Sequence, residues 1–124
     1  MIPYDKREGK IWYNDELVDW QDVKLHVLSH GLHYASCVFE GERVYDGEIF
    51  KLEEHTSRFF HSARRMGFEV PYSEQAINEA SNKIILIQLK LIRPMGHTQR
   101  GPRDPDFVGI TSSARSAGST RGSA

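Results

Sequence analysis

Cysteine is all but absent from this sequence: Cys37 stands alone among 124 residues. One thiol excludes an internal disulfide and a zinc site built from cysteines, and it fits a reducing, cytoplasmic compartment. Charge of one sign is not in excess either. Sixteen Lys and Arg against 17 Asp and Glu leave a net charge of −1, which gives no whole-chain electrostatic argument for nucleic acid or an anionic membrane as partner. No apolar run approaches the ~18 residues that a membrane-spanning helix needs. The opening residues, 1–8, have no apolar stretch of the kind a signal peptide requires. What is present, 39% hydrophobic and 27% charged residues, suits a single soluble globular unit.

The composition shifts near residue 93. Residues 1–93 carry 12 basic and 15 acidic side chains, whereas residues 94–124 carry 4 and 2. The last 31 residues hold 5 of the 10 Gly, 3 of the 5 Pro and 5 Ser, with Met95, Phe107, Val108 and Ile110 as their larger apolar residues. Burial of so little apolar surface does not offset the entropy of ordering the segment. The expectation is a folded domain over 1–93 and a disordered tail over 94–124. A folded unit that small is marginal by itself.

Within 1–93 the hydrophobic period is first two, then 3.6. Asn14-Asp15 separates two short strand-like runs and predicts a tight hairpin. Residues 22–28 alternate as a third strand would, with Val23, Leu25 and Val27 on one side. Residues 37–45 alternate again. They place Phe39, Gly41, Arg43 and Tyr45 on one face, and Val38, Glu40, Glu42 and Val44 on the other. Asp46-Gly47 is the strongest hairpin turn in the chain, with residues 48–51 returning as the partner strand. From 52 to 66 the apolar positions follow a helical stripe that stops at Gly67. Ser73 is a candidate N-cap for a second helix, whose stripe runs through Ile77, Ala80, Ile84, Ile87 and Leu91. Strands followed by helices predict an α+β fold, an antiparallel sheet built from hairpins and covered by two helices.

Several constellations carry possible chemistry. His26, His30 and His33 have helical spacing, but Gly31 interrupts a helix and no acidic residue completes a metal-ligand set, so we expect no metal. Cys37 lies in an apolar strand, where a thiol is structural rather than nucleophilic. Arg58, His61, Arg64 and Arg65 form a basic patch on the first helix. It is either a solvated face or, around Arg58 near the helix start, a grip for an anion. Gly41 between Phe39 and Arg43 admits close approach of a ligand to the backbone, with the guanidinium suited to a carboxylate or phosphate; the alternative is an exposed strand arginine above a packed ring. Arg100-Gly101 and Arg121-Gly122 are too sparse to suggest RNA binding.

The run His30-Gly31-Leu32-His33-Tyr34-Ala35-Ser36-Cys37-Val38-Phe39-Glu40-Gly41-Glu42-Arg43 resembles the branched-chain amino acid aminotransferases. These are pyridoxal-phosphate (PLP) enzymes of class IV and fold type IV. The flanks are similar too: the opening hairpin, then Tyr45-Asp46-Gly47-Glu48-Ile49-Phe50-Lys51-Leu52 with Glu54-His55-Thr56-Ser57-Arg58, over about residues 4–85. The resemblance implies the small N-terminal domain of such an enzyme. It implies that Arg58 grips the cofactor phosphate, that Phe39 and Gly41 line the substrate pocket, and that Arg43 helps handle a substrate carboxylate. It further implies that Tyr34 closes the pocket of a neighbouring subunit, so that the partner is a second copy or an intact aminotransferase subunit.

The sequence also departs from that family. Its chemistry requires a lysine that forms a Schiff base with the cofactor. By the resemblance that lysine belongs to a second, larger domain, and none of Lys6, Lys10, Lys24, Lys51, Lys83 and Lys90 matches it. Leu91-Ile92-Arg93-Pro94 resembles a tyrosine-x-Arg-Pro strand of the family, with Leu91 at the tyrosine position, and residues from about 94 onward resemble nothing in it. The expectation is a fragment of a branched-chain aminotransferase with no catalytic residue and weak or no PLP binding, inactive alone. The parent reaction moves the amino group of Leu, Ile or Val to 2-oxoglutarate. The alternatives are a non-catalytic module docking on an intact subunit, or the product of a frameshifted gene.

Overall fold

The computed structural model describes residues 3–92 and 106–113. After a short 3-10 turn at Tyr4–Lys6, β1 (Lys10–Tyr13) and β2 (Glu16–Asp19) form the first hairpin. Asn14 and Asp15 both take positive φ, 50° and 73°. That geometry matches the right-handed twist of the flanking strands, and these two residue types tolerate it. The strands pair antiparallel from Lys10↔Asp19 to Tyr13↔Glu16, with a 2.6 Å ion pair between the Lys10 and Asp19 side chains.

Residues 22–28 are not a strand. Alternation makes a strand only where one face is buried or a neighbour completes the ladder. Among the described residues no strand pairs with this segment, and Leu25 and Val27 stay about two-thirds exposed. Instead it ends in a turn, with the Ser29 N–H donating to His26 O, and leads into a single-turn helix α1 (His30–His33).

β3 (Cys37–Tyr45) is the longest strand, and β4 (Glu48–Ile49) returns from it across Asp46 and Gly47, at φ 51° and 86°. β4 is shorter than the expected 48–51. The Phe50 N–H still donates to Arg43 O at 2.8 Å, but Lys51 turns to φ 54° and becomes the N-cap of the next helix. β5 (Asp106–Ser113) pairs antiparallel along the other edge of β3, from Cys37↔Ser113 to Val44↔Asp106, with Gly41 opposite Gly109. The expectation of a disordered tail over 94–124 is therefore corrected for eight of its residues. Their apolar content is too low for a core of their own, but a strand needs only a neighbour's unpaired N–H and C=O groups, and β3 supplies them. The rest of that expectation lies outside the described residues.

Helix α2 (Leu52–Arg65) crosses one face of β3. It buries Thr56, Phe59 and Ala63, and Phe59 and Ala63 pack with Val38 as the core, flanked by Phe60, Phe68 and Val70. Gly67, at φ 80°, ends the helix in the left-handed conformation that favours glycine, and the Phe68 N–H closes back on Ala63 O. Helix α3 (Glu74–Ile92) starts as expected, with the Ala76 N–H donating to Ser73 Oγ at 3.1 Å, a cap typically worth about 1 kcal/mol. Its buried column is Ile77, Ser81 and Ile85, rotated from the expected line; Ile84 and Ile87 are half-buried. The helix must serve α2, the β1–β2 hairpin and β4 at once. Gln88 Nε2 donates to Lys10 O, and Gly9, at φ 141°, leaves room where any Cβ would meet the Gln88 amide at 2.9 Å. Across the helix pair, the fully buried Thr56 hydroxyl donates to Asn78 Oδ1.

Among the described residues the architecture is α+β: a three-stranded antiparallel sheet in the order β4-β3-β5, a separate β1–β2 hairpin, the single-turn α1 and the two longer helices α2 and α3. No helix among the described residues is long and apolar enough to cross a membrane.

Candidate functional site

β3 has one wet face and one dry face. Val38, Glu40, Glu42 and Val44 are all at most 7% exposed, beneath α2, whereas Phe39, Arg43 and Tyr45 are exposed on the other side with half-buried Gly41 between them. The dry face thus carries two carboxyl groups, which must be partnered or neutralised there.

Glu40 is partnered. Arg58, in the second turn of α2, sends Nε to Glu40 Oε1 at 2.7 Å and Nη2 to Oε2 at 2.6 Å. His55 Nδ1 lies 2.8 Å from the same Oε2. A carboxylate only accepts, so this ring nitrogen carries the proton there. It then has no lone pair for Arg58 Nη2, and their 3.3 Å approach is a packing contact. The Arg58 hydrogen bonds hold the Glu40 carboxyl below its usual pKa against the opposing effect of burial, and His55 assists.

Glu42 is not partnered. It is fully buried and neither carboxyl oxygen has a hydrogen bond. Burial raises its pKa to about 7; the neighbouring Glu40 charge adds to the rise and His55 opposes it. Sequence reasoning put Glu40 and Glu42 on the face opposite Phe39 but gave them no role. The signal was present: two carboxylates alternating with two valines point the same way as the core.

Arg58 itself keeps 65% of its side chain exposed and lines an open groove with Glu54, Ser57, His61 and Arg64. Arg58 lies past the first turn of α2, which Glu53 and Glu54 occupy. Arg58 does not lie on the same face of β3 as Phe39, Gly41 and Arg43. Its guanidinium is drawn to Glu40, on the opposite face of β3. The cause is the period of two, which sends residues 39, 41 and 43 away from α2. Tyr34 follows α1, 65% exposed, with its ring edge-on to those of His30 and His33 at 5.2 and 4.6 Å. His26 Nδ1 accepts from the Leu28 N–H at 3.0 Å. Among the described residues no three His, Cys, Asp or Glu side chains gather as metal ligands. Cys37 is a half-buried thiol.

Three kinds of similarity bear on this arrangement. The chain is 47% identical over 96 residues to a branched-chain-amino-acid aminotransferase of Pseudomonas aeruginosa, an alignment that takes in 72% of this chain and 31% of that protein. The crystal structure of the Escherichia coli branched-chain amino acid aminotransferase superposes with a TM-score of 0.61 at 40% identity, covering 64% of this chain and 28% of the other. The T.th. branched-chain amino acid aminotransferase, complexed with N-(5'-phosphopyridoxyl)-L-glutamate, gives 0.61 at 38% identity, covering 64% and 29%. The chain thus spans about a third of the length of these relatives. The profile described as amino-transferase class IV matches residues 37–120. That match begins on β3, takes in α2 and α3, and runs on through the stretch expected to resemble nothing in the family. With β5 laid along β3 inside the matched region, and more than half of the chain within it, the chain belongs to the class IV aminotransferases.

Proposed function

We propose that this chain is part of a branched-chain-amino-acid transaminase, which moves the amino group of Leu, Ile or Val to 2-oxoglutarate with PLP as cofactor. The observation that carries the reading is the open groove around Arg58, where two guanidinium groups, an imidazole and a hydroxyl, from Arg58, Arg64, His61 and Ser57, outnumber the one carboxylate, Glu54. That donor set suits a phosphate, the group carried by the phosphopyridoxyl ligand of the T.th. relative. In this reading Arg58 holds the PLP phosphate. Phe39, Gly41 and Arg43 form a separate wall, for the substrate side chain and carboxylate. A ligand touching both must straddle an edge of β3. On the β4 side, the described pairing reaches only Tyr45 and Val44, plus the Phe50–Arg43 bond, which supports this placement. When bound, PLP supplies the electron sink for amino-group transfer. No proton transfer is assigned to a residue of this chain.

A second reading rests on a different observation. Leu25, Val27, Leu28, Leu32 and Tyr34 are each 59–65% exposed within ten residues. Such a patch marks an interaction surface, and it supports docking on a second copy or on an intact aminotransferase subunit.

A chimera tests the main reading. The aligned stretch of the P. aeruginosa relative is replaced with this chain's residues, and glutamate formation from Leu, Ile or Val and 2-oxoglutarate is assayed. Retained turnover is the expected result; a folded but inactive chimera overturns the reading.

A further inference from the structure

We propose that Glu40 is a positioning residue, fixing the Arg58 guanidinium so that its remaining N–H groups point into the groove that takes phosphate. The proposal rests on the reading of Arg58 given above and assigns a role to a residue which that reading leaves unused.

An arginine on the exposed side of a helix has a long, rotatable side chain, and a mobile cation makes a poor directional donor. Here the aim comes from the sheet. Glu40 is 4% exposed on β3, so its backbone is fixed by the strand and its carboxylate by burial. Its two oxygens take Nε and Nη2 side by side, which leaves Nη1 as the nitrogen not directed at Glu40. His55 braces Oε2 from one turn earlier on α2. Three bonds thus set the orientation of a group that remains largely open to solvent, beside Ser57, His61 and Arg64.

The arrangement has an electrostatic cost that makes it testable by sign. A carboxylate beside Arg58 lowers the positive potential of the groove. If potential alone governed anion binding, removing that charge would tighten it. If Glu40 acts by aiming Arg58, removing the charge weakens binding although the protein becomes more positive.

The test uses the 124-residue chain and pyridoxamine 5'-phosphate, whose amine cannot condense with lysines. Binding is followed by phosphorus NMR, and the Arg58 Nε–H resonance reports its orientation directly. Glu40→Gln is expected to weaken binding roughly fivefold or more and to move the Nε–H resonance to the position of a solvated arginine. Arg58→Ala abolishes binding and Arg64→Ala changes it little. If Glu40→Gln binds as well as or better than the unaltered chain while Arg58→Ala loses binding, Glu40 does not position Arg58 and the proposal is overturned, with the phosphate reading intact. If Arg58→Ala binds normally, or the unaltered chain gives no saturable shift in the millimolar range, the phosphate reading falls and takes the proposal with it. Should Glu40→Gln fail to fold, Arg58→Lys decides. It keeps the charge but cannot make the paired contact, so loss of binding supports the proposal and retained binding refutes it.

Discussion

Glu40 and Glu42 point into the same interior from one face of β3, two residues apart, yet only Glu40 has a partner. Their titrations act on stability in opposite senses. Glu40 is held low by Arg58, so its contribution is present above the unfolded value of 4.5 and is lost as pH falls through its folded value. Glu42 is raised to about 7, so the folded state keeps a proton that the unfolded chain releases. Stability therefore falls as pH rises from 4.5 to about 7 and levels off above that. The charged neighbours facing Glu42 are Glu40, which adds to the penalty, and His55, which reduces it. A rise from 4.5 to about 7 corresponds to about 3 kcal/mol. Urea unfolding at pH 5 and pH 8 should show a loss of that order. Glu42→Gln should flatten the difference and be more stable than the unaltered chain at pH 8. An unchanged pH slope in that variant would show that another group sets it.

The junction of the two helices depends on one buried hydroxyl. Thr56 is fully buried and donates to Asn78 Oδ1. Thr56→Val keeps the volume but leaves that acceptor without its donor, at a cost of about 1–3 kcal/mol. Denaturant midpoints would report it. The double variant Thr56→Val, Asn78→Leu should recover part of the loss, since removing both partners is cheaper than removing one.

Phe59 is 1% exposed at the centre of the Val38–Ala63 cluster. Phe59→Ala should destabilise by about 3–5 kcal/mol, most of what a folded unit this small has to lose. Loss of near-UV circular dichroism at room temperature is the expected observation.

Removing β5 exposes an edge. Ending the chain before Asp106 takes away the strand that pairs with β3 from Cys37 to Val44. The shortened chain should unfold at lower denaturant and aggregate faster, because an open edge is a template for pairing. Equal stability and equal light scattering would mean that β5 contributes nothing in solution.

The exposed apolar side chains of Leu25, Val27, Leu28, Leu32 and Tyr34 should drive self-association. Leu28→Asp with Leu32→Asp places charges on two side chains that are 59% and 65% exposed. Sedimentation should shift toward monomer in that double variant without loss of helix content; an unchanged profile would exclude this surface as the contact.

The local elements follow from the chemistry of short stretches of chain. Asn14-Asp15 and Asp46-Gly47 carry their turns in residues that accept positive φ, and Gly67 and Ser73 mark helix ends by backbone chemistry that acts within a few residues. The run from His30 to Arg43 carried the family resemblance, and alternation along β3 sorted its side chains into two sets. What needs a neighbour was decided by tertiary structure. Residues 22–28 alternate yet lie outside any described ladder, while Asp106–Ser113, poor in apolar content, became a strand because β3 had an edge to offer. The buried column of α3 turned toward Ser81 and Ile85 because α2, β1 and β4 all pack on that helix. Arg58 was legible as an anion-binding candidate, but its direction was not. A side chain that long follows the nearest buried charge, and only the packing of α2 on β3 reveals that this charge is Glu40, on the face turned away from Phe39, Gly41 and Arg43.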